Sequence, residues 1–272
     1  MKLGPALSDR AGRLLDFLWS GWAGLAALSL LAAAWQAGHE AWGDFILPAP
    51  LETVGAAVGL LGDPDSLSLL LITAQRSLTG FAMAAGAGVA LGLTAGYAPA
   101  VMRLARPLLT VVLGVPPIAW IVLTMMWFGT TGTTVAVAIL IAATPVVFVA
   151  AAEGIATRDR ELGHMAEAFG YGLLGRFLFI DLRQASRPIF PALALALGTS
   201  FKVAIMAEML ANAGGVGGAL ARARALLDVP QALAWVVLSV IALIVVEYGL
   251  VRPMEGELER WRRAAQPWGV KR

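Results

Sequence analysis

Long apolar stretches separated by short polar ones run through the whole chain. A helix needs about 20 mostly apolar residues to cross a bilayer. Gly21–Ala37, Leu67–Tyr97, Leu108–Phe128, Thr134–Ala152, Ile189–Ala211 and Ala232–Val251 reach that length, some only with their flanks. The expectation is an all-α polytopic membrane protein with about six transmembrane helices. Short apolar runs that re-enter rather than cross leave the count at roughly five to seven. Residues 1–20 then form one polar tail, 21–251 the transmembrane domain and 252–272 a second tail.

One segment breaks the apolar pattern. Thr157 to Pro188 carries Arg158, Asp159, Arg160, Glu161, His164, Glu167, Arg176, Asp181, Arg183 and Arg187 between two apolar spans. Leu162, Met165, Ala166 and Phe169 recur at one-face helical spacing, Tyr171-Gly172 interrupts, and Leu174, Phe177, Leu178 and Leu182 resume it. The spacing predicts a helix–glycine–helix hairpin with one apolar side. It fits two roles equally: docking a partner, or lying on lipid headgroups.

Charge gives the hairpin a side. Lys2, Arg10 and Arg13, then Arg103 and Arg106, then the hairpin arginines, then Arg252, Arg260, Arg262, Arg263, Lys271 and Arg272 fall on alternate loops and the tails. Only Arg222 and Arg224 fall on the other side. The positive-inside rule then places both termini and the hairpin in the cytoplasm. Composition agrees with a membrane protein: 59% of the 272 residues are hydrophobic and 14% charged, against about a quarter charged in soluble domains. There are no cysteines and two histidines, His39 and His164. A disulfide framework, a cysteine nucleophile and a histidine metal cluster are therefore excluded, and no catalytic or metal-ligating residues are expected. The basic start before the first apolar run has the look of a signal peptide. The sequel WQAGHEAWGDF carries no small-residue cleavage site, so a retained span is expected.

Several positions within the spans are candidates for lining a translocation pathway. Pro116 and Pro117 remove backbone donors and predict a kink beside Trp120, the kind of break tolerated where a helix lines a cavity. Lys202 and Glu208 are ionisable groups in the fifth span, and such groups usually face a bundle interior or water. Lys202 is the deeper; Glu208, near the span's end, fits snorkelling or capping. Arg76 in the second span fits either a cavity or the interface. Ser200 in GTSF joins them. The run NAGGVGG at 212–218 fits a gate or a tight turn into a short helix. Gly80, Ala84, Gly88, Gly92 and Gly96 recur every four residues, a small-residue stripe that predicts close helix packing. Leu51, Val54, Val58 and Leu61 predict an amphipathic helix on the outer surface.

Taken in order, ILPAP at 46–50, QRSLTGF at 75–81, GVALGLTAGY at 88–97, RPLLTVVLGVPPIAWIVLTMMWFG at 106–129, the hairpin, and AEML with its glycine-rich sequel at 207–218 resemble a known pattern. It is that of the permease subunit of a bacterial binding-protein-dependent ABC importer with the type I fold, in the nitrate/sulfonate/taurine/bicarbonate group. The resemblance spans about Phe45 to Arg263. It implies that the hairpin is the EAA loop, on which ATPase subunits dock. Gly170 matches that loop's glycine, Ala166 its second alanine and Leu182 its leucine. His164 stands where the glutamate is expected, Met165 replaces the first alanine and Arg183 the proline. His164, Met165, Ala166, Phe169, Gly170, Tyr171, Gly172 and Leu173 become the expected coupling residues. The implied partners are an ATP-binding subunit dimer, a second permease copy (identical or not), a periplasmic or lipid-anchored substrate-binding protein, and membrane lipid; no nucleic acid is implied. The implied location is the bacterial inner membrane.

The chain has no GxxxxGK[ST] and three lysines, Lys2, Lys202 and Lys271, none after such a loop. It binds no cofactor of its own on this reading; ATP and Mg²⁺ belong to the partner ATPase. Lys202 and Arg76 favour an anionic solute such as a sulfonate, nitrate or bicarbonate. Two rivals fit less of the chain. An intramembrane serine protease needs a GxSG serine and a histidine within a span, and neither His39 nor His164 lies in one. An ATP-independent secondary transporter typically shows an inverted repeat, and the two halves share no convincing one.

Overall fold

The computed structural model describes residue 24 and residues 26–251. The expected tails 1–20 and 252–272 and the start of the first span lie outside the described residues. What is described is helical with short connections. Helix α1 covers residues 26–42. It is followed by α2 (Pro50–Leu61), α3 (Pro64–Tyr97), α4 (Pro99–Gly114), α5 (Pro117–Phe128), α6 (Gly132–Ala156), α7 (Arg160–Ala168) and α8 (Leu173–Arg176). A π turn, Phe177–Asp181, leads into α9 (Leu182–Ala211), then α10 (Gly215–Ala225) and α11 (Val229–Val246).

Helices α3, α6, α11 and the continuous run Leu173–Ala211 are long and apolar enough to cross a bilayer, and the α4–α5 pair makes a fifth if counted as one broken span. This is a multi-pass membrane protein. Two expectations about the spans change. The stretch Leu108–Phe128 is not one kinked helix: α4 and α5 meet at 96°. Val115 and Pro116 both leave the helical region, at ψ 127° and 140°. The residue before a proline is pushed out of the α region, and Pro117 suits the first position of a new helix. Consecutive prolines therefore end one helix and start another. The fifth span is also longer than its apolar stretch. It begins within the hairpin, whose second arm is the near end of the same helical run.

The core is a three-helix bundle of α3, α6 and α9. Helix α6 is apolar on all sides, and Val135, Ala138, Ile139, Ala143 and Val147 are completely buried with Ala84 of α3 and Ala196 and Ala204 of α9. A largely buried helix is the expected result of such a sequence. The small-residue stripe of α3 sets the approach. A methyl added to Gly80 would lie 2.8 Å from Ile139 Cδ1, one on Gly88 2.7 Å from Val147 Cβ, and one on Gly96 2.6 Å from Ile155 Cβ. Gly92 faces the Phe148 carbonyl and Ala151 Cβ. The stripe therefore serves helix packing, as its spacing predicts.

Helix α2 forms where expected, and the face it turns inward is the one opposite its apolar stripe. Thr53 and Ala57 are buried, and Ala57 packs with Trp235 and Leu238 of α11 and Val216 of α10. The apolar stripe Leu51, Val54, Val58 and Leu61 is exposed. Small residues allow the close approach, and the larger ones are left for the surroundings. The segment after α1 folds back on it: Trp35 Nε1 donates to Pro48 O at 3.0 Å, and His39 Nδ1 lies 2.9 Å from Leu47 O.

Candidate functional site

The hairpin occupies one end of the bundle. Asp159 caps α7, its carboxylate accepting the Glu161 amide at 2.9 Å. An acidic cap suits the positive end of a helix. Helix α7 closes through a Schellman turn. Gly170, at φ +82°, donates to Glu167 O at 2.9 Å, and Tyr171 N donates to Ala166 O at 3.0 Å. That turn requires a left-handed residue after the cap, which glycine adopts without a Cβ penalty. The interruption foreseen at Tyr171-Gly172 is thus centred on Gly170. Arg176 Nη1 bonds Glu167 Oε2 at 2.8 Å and ties the two arms together. Tyr171 lies edge-on to Phe179, with ring centroids 6.3 Å apart.

Most of the expected coupling residues lie on the surface. Ala166 is buried. His164, Gly170 and Gly172 are exposed, and so are Met165 (53%), Phe169 (77%), Tyr171 (51%) and Leu173 (82%), with Leu174 (70%) beside them. The hairpin therefore presents an apolar knob cluster held on a hydrogen-bonded turn. Exposed apolar patches of this kind mark interaction sites.

The opposite end of the bundle holds a different arrangement. Glu208 is completely buried. Its Oε1 accepts from Arg76 Nη1 at 2.9 Å, and its Oε2 accepts from Thr73 Oγ1 at 2.7 Å and Gly217 N at 3.2 Å. Arg76 Nη1 also reaches Ala213 O at 3.0 Å, while Val216 N donates to Thr73 Oγ1 at 2.8 Å. The carboxylate thus joins α3, α9 and the first turn of α10. A buried charge persists only when it is paired and hydrogen-bonded. Glu208 therefore neither snorkels nor caps, and Arg76 reaches a partner rather than the interface. Their 132-residue separation explains why spacing could not reveal the pair. Of the two roles open to residues 212–218, the structure shows the tight turn into a short helix. Asn212, Gly214 and Gly215 all have positive φ, and a Cβ on Gly215 would lie 2.5 Å from both Glu208 oxygens.

The remaining pathway candidates separate. Ser200 is buried and its hydroxyl donates to Ala196 O at 2.7 Å, so it faces the bundle. Pro116 and Pro117 are exposed at the α4–α5 break. Trp120 is half-buried, its Nε1 3.4 Å from Val112 O across that break. Lys202 is exposed. It has no ion pair or hydrogen bond among the described residues. It shares its face of α9 with Leu195, two turns away and 66% exposed.

One cluster escaped the sequence reading. Tyr97 Oη donates to Asp181 Oδ2 at 2.5 Å, and Arg158 Nε lies 3.4 Å from Asp181 Oδ1. Along the chain Arg158 and Asp181 read only as hairpin polarity, and nothing in the spacing ties Asp181 to a tyrosine 84 residues away.

Residues 88–252 match the family described as the binding-protein-dependent transport system inner membrane component. The chain is 25% identical over 247 residues to an aliphatic-sulfonate transport permease of Bacillus subtilis, covering 90% of this chain and 89% of that one. It is 29% identical over 259 residues to a riboflavin transport system permease of Chloroflexus aurantiacus, covering 94% and 96%. A nitrate import permease of Leptolyngbya laminosa is 29% identical over 143 residues. There the match takes in 53% of this chain and about half, 51%, of the relative.

Proposed function

Since this chain belongs to the family of binding-protein-dependent transport system inner membrane components, we propose that it is the pathway-forming subunit of an ATP-driven importer for a small anionic solute. The observation that carries the coupling part is the hairpin's exposed apolar cluster, Met165, Phe169, Tyr171 and Leu173, seated on the Gly170 turn. Separate ATPase subunits, which bind ATP and Mg²⁺, dock there from the cytoplasm. A second permease copy completes the pathway. A binding protein delivers solute at the opposite face, and the protein sits in the inner membrane with both tails cytoplasmic. Residues 21–251 are the transmembrane domain on this reading. ATP binding draws the ATPases together, the hairpins move with them, and the pathway changes the side on which it opens.

The anionic solute rests on Lys202 and on relatives named for sulfonate and nitrate. An unpaired ammonium on an exposed face of a span is costly in lipid and at home beside water or a partner chain. Facing the pathway, it would hold an anion by charge-assisted hydrogen bonds. Replacing Lys202 by Met is expected to lower anion uptake roughly tenfold or more with ATPase docking intact. Unchanged uptake kinetics would remove it from the pathway. The riboflavin-named relative makes an uncharged competitor the informative control.

The first test is purification of the chain from native membranes in mild detergent, with mass spectrometry of what accompanies it. A P-loop ATPase at near-equal stoichiometry supports the proposal, and a second permease with a regular loop would account for His164. A chain that emerges alone even after crosslinking at Met165 or Phe169 sinks it and favours ATP-independent transport.

A further inference from the structure

The hairpin meets the bundle at a small set of polar contacts with an unusual backbone. Asp181 is nearly buried, 8% exposed, and it is the last residue of the π turn Phe177–Asp181. Within that turn Leu182 N reaches back to Phe177 O, a five-residue closure. One such turn delays the helical phase by about one residue, or roughly 100°. Phe177 is thereby set beside Tyr97, ring centroids 6.4 Å apart, and Asp181 faces into the junction. Its carboxylate accepts the Tyr97 hydroxyl, from the last residue of α3, and pairs with Arg158, from the α6–α7 connection. The Arg158 guanidinium also lies 4.6 Å over the Tyr97 ring, and its Nη1 donates to Ile155 O at 2.8 Å. Asp159 N donates to Gln184 Oε1 at 2.7 Å, fastening α7's entry to α9 as well.

Both strands of chain that enter the hairpin, and the end of α3, therefore converge on one carboxylate. A hairpin joined only by its two peptide connections would pivot at Thr157–Asp159 and at the π turn. These contacts remove that freedom. We propose that Tyr97, Arg158 and Asp181 are positioning residues that make the hairpin move as one body with α3, α6 and α9, so that motion of a docked ATPase reaches the spans. The inference rests on the hairpin being the ATPase-docking site. The π turn is part of the device, because a regular α turn would rotate Asp181 out of reach of both partners.

The test uses the whole transporter in proteoliposomes, measuring ATP hydrolysed and solute imported together. Asp181→Asn keeps the shape and removes the charge. Tyr97→Phe removes one hydroxyl and leaves the ring under Arg158. Each is expected to retain ATPase subunits at wild-type stoichiometry and to continue hydrolysis, while solute imported per ATP falls roughly three- to thirty-fold. Amide exchange across α7 should quicken in the same variants. The double variant should fall little further than the worse single one, since both break one contact. If Asp181→Asn is not recovered from membranes, Tyr97→Phe carries the decision. Solute per ATP within twofold of wild type in an assembled complex overturns the joint and leaves the docking site standing. A wild-type chain that binds no ATPase removes both.

Discussion

The two ends of the α3–α6–α9 bundle are built on opposite terms. At the end holding Glu208, the buried charge has its partners within the chain. The carboxylate is buried with Arg76, Thr73 and the Gly217 amide bonded to it, and glycine at 215 leaves room for its oxygens. At the hairpin end Asp181 is paired beneath the surface, Arg176 pairs with the exposed Glu167, and large apolar side chains remain uncovered. The Glu208 network is complete in one chain. On the proposed function, the hairpin end is completed by a docked ATPase subunit. On that proposal, the difference separates residues that keep the fold from residues that act on a partner.

The comparison breaks most visibly at Glu208. Glu208→Ala leaves Arg76 without its counter-charge and empties the centre of a three-element network. The expected cost is about 3 kcal/mol, read as a lowered unfolding temperature in detergent. The double change Arg76→Met with Glu208→Met should recover much of it, because a buried pair replaced by apolar groups is often neutral. No loss in the single variant would mean that the network does not hold that end. Next comes Gly92→Ala on the α3 stripe. Its methyl meets the Phe148 backbone and Ala151, and about 1–3 kcal/mol of overpacking strain is expected in the same assay. Wild-type melting would show that α3 and α6 separate more easily than their contacts suggest.

Effects at the hairpin end should be smaller on stability and larger on assembly. Gly170→Ala forces a Cβ into the left-handed region at a cost of about 1 kcal/mol, with open space around it. ATPase retention should fall with it, because the knobs following the turn are re-aimed; full retention would show that the turn's geometry is immaterial. Phe169→Asp sharpens the contrast most. The side chain is exposed, so stability should stay within about 0.5 kcal/mol of wild type, while co-purifying ATPase is lost. A fall in melting temperature with ATPase still bound would reverse the assignment of the two ends.

Much of this was legible along the chain. Apolar length announced the spans, the four-residue recurrence of small side chains announced α3 against α6, and helical spacing around Gly170 announced the hairpin. Each of these signals is local, with period and partner direction written within a few turns. What escaped depended on residues far apart. Leu51, Val54, Val58 and Leu61 announced the amphipathic helix α2, but not that the smaller Thr53 and Ala57 pack it against the rest, because contact with α11 favours close approach over side-chain area. Two prolines in a row promised a kink, and the chain made a 96° corner.

By itself the sequence determined that this is a helical, multi-pass membrane protein with one polar hairpin and a family to which it belongs. Hydrophobic length and helical period are properties of consecutive residues and survive without a fold. Which charges meet was decided only by the tertiary structure. Arg76 finds Glu208 and Tyr97 finds Asp181 across many turns of helix, while Lys202 finds no partner among the described residues. The reason is physical. In an apolar interior a charge is stable only where another polar group arrives at hydrogen-bond distance, and arrival is set by how α3, α6 and α9 pack, not by their separation along the chain.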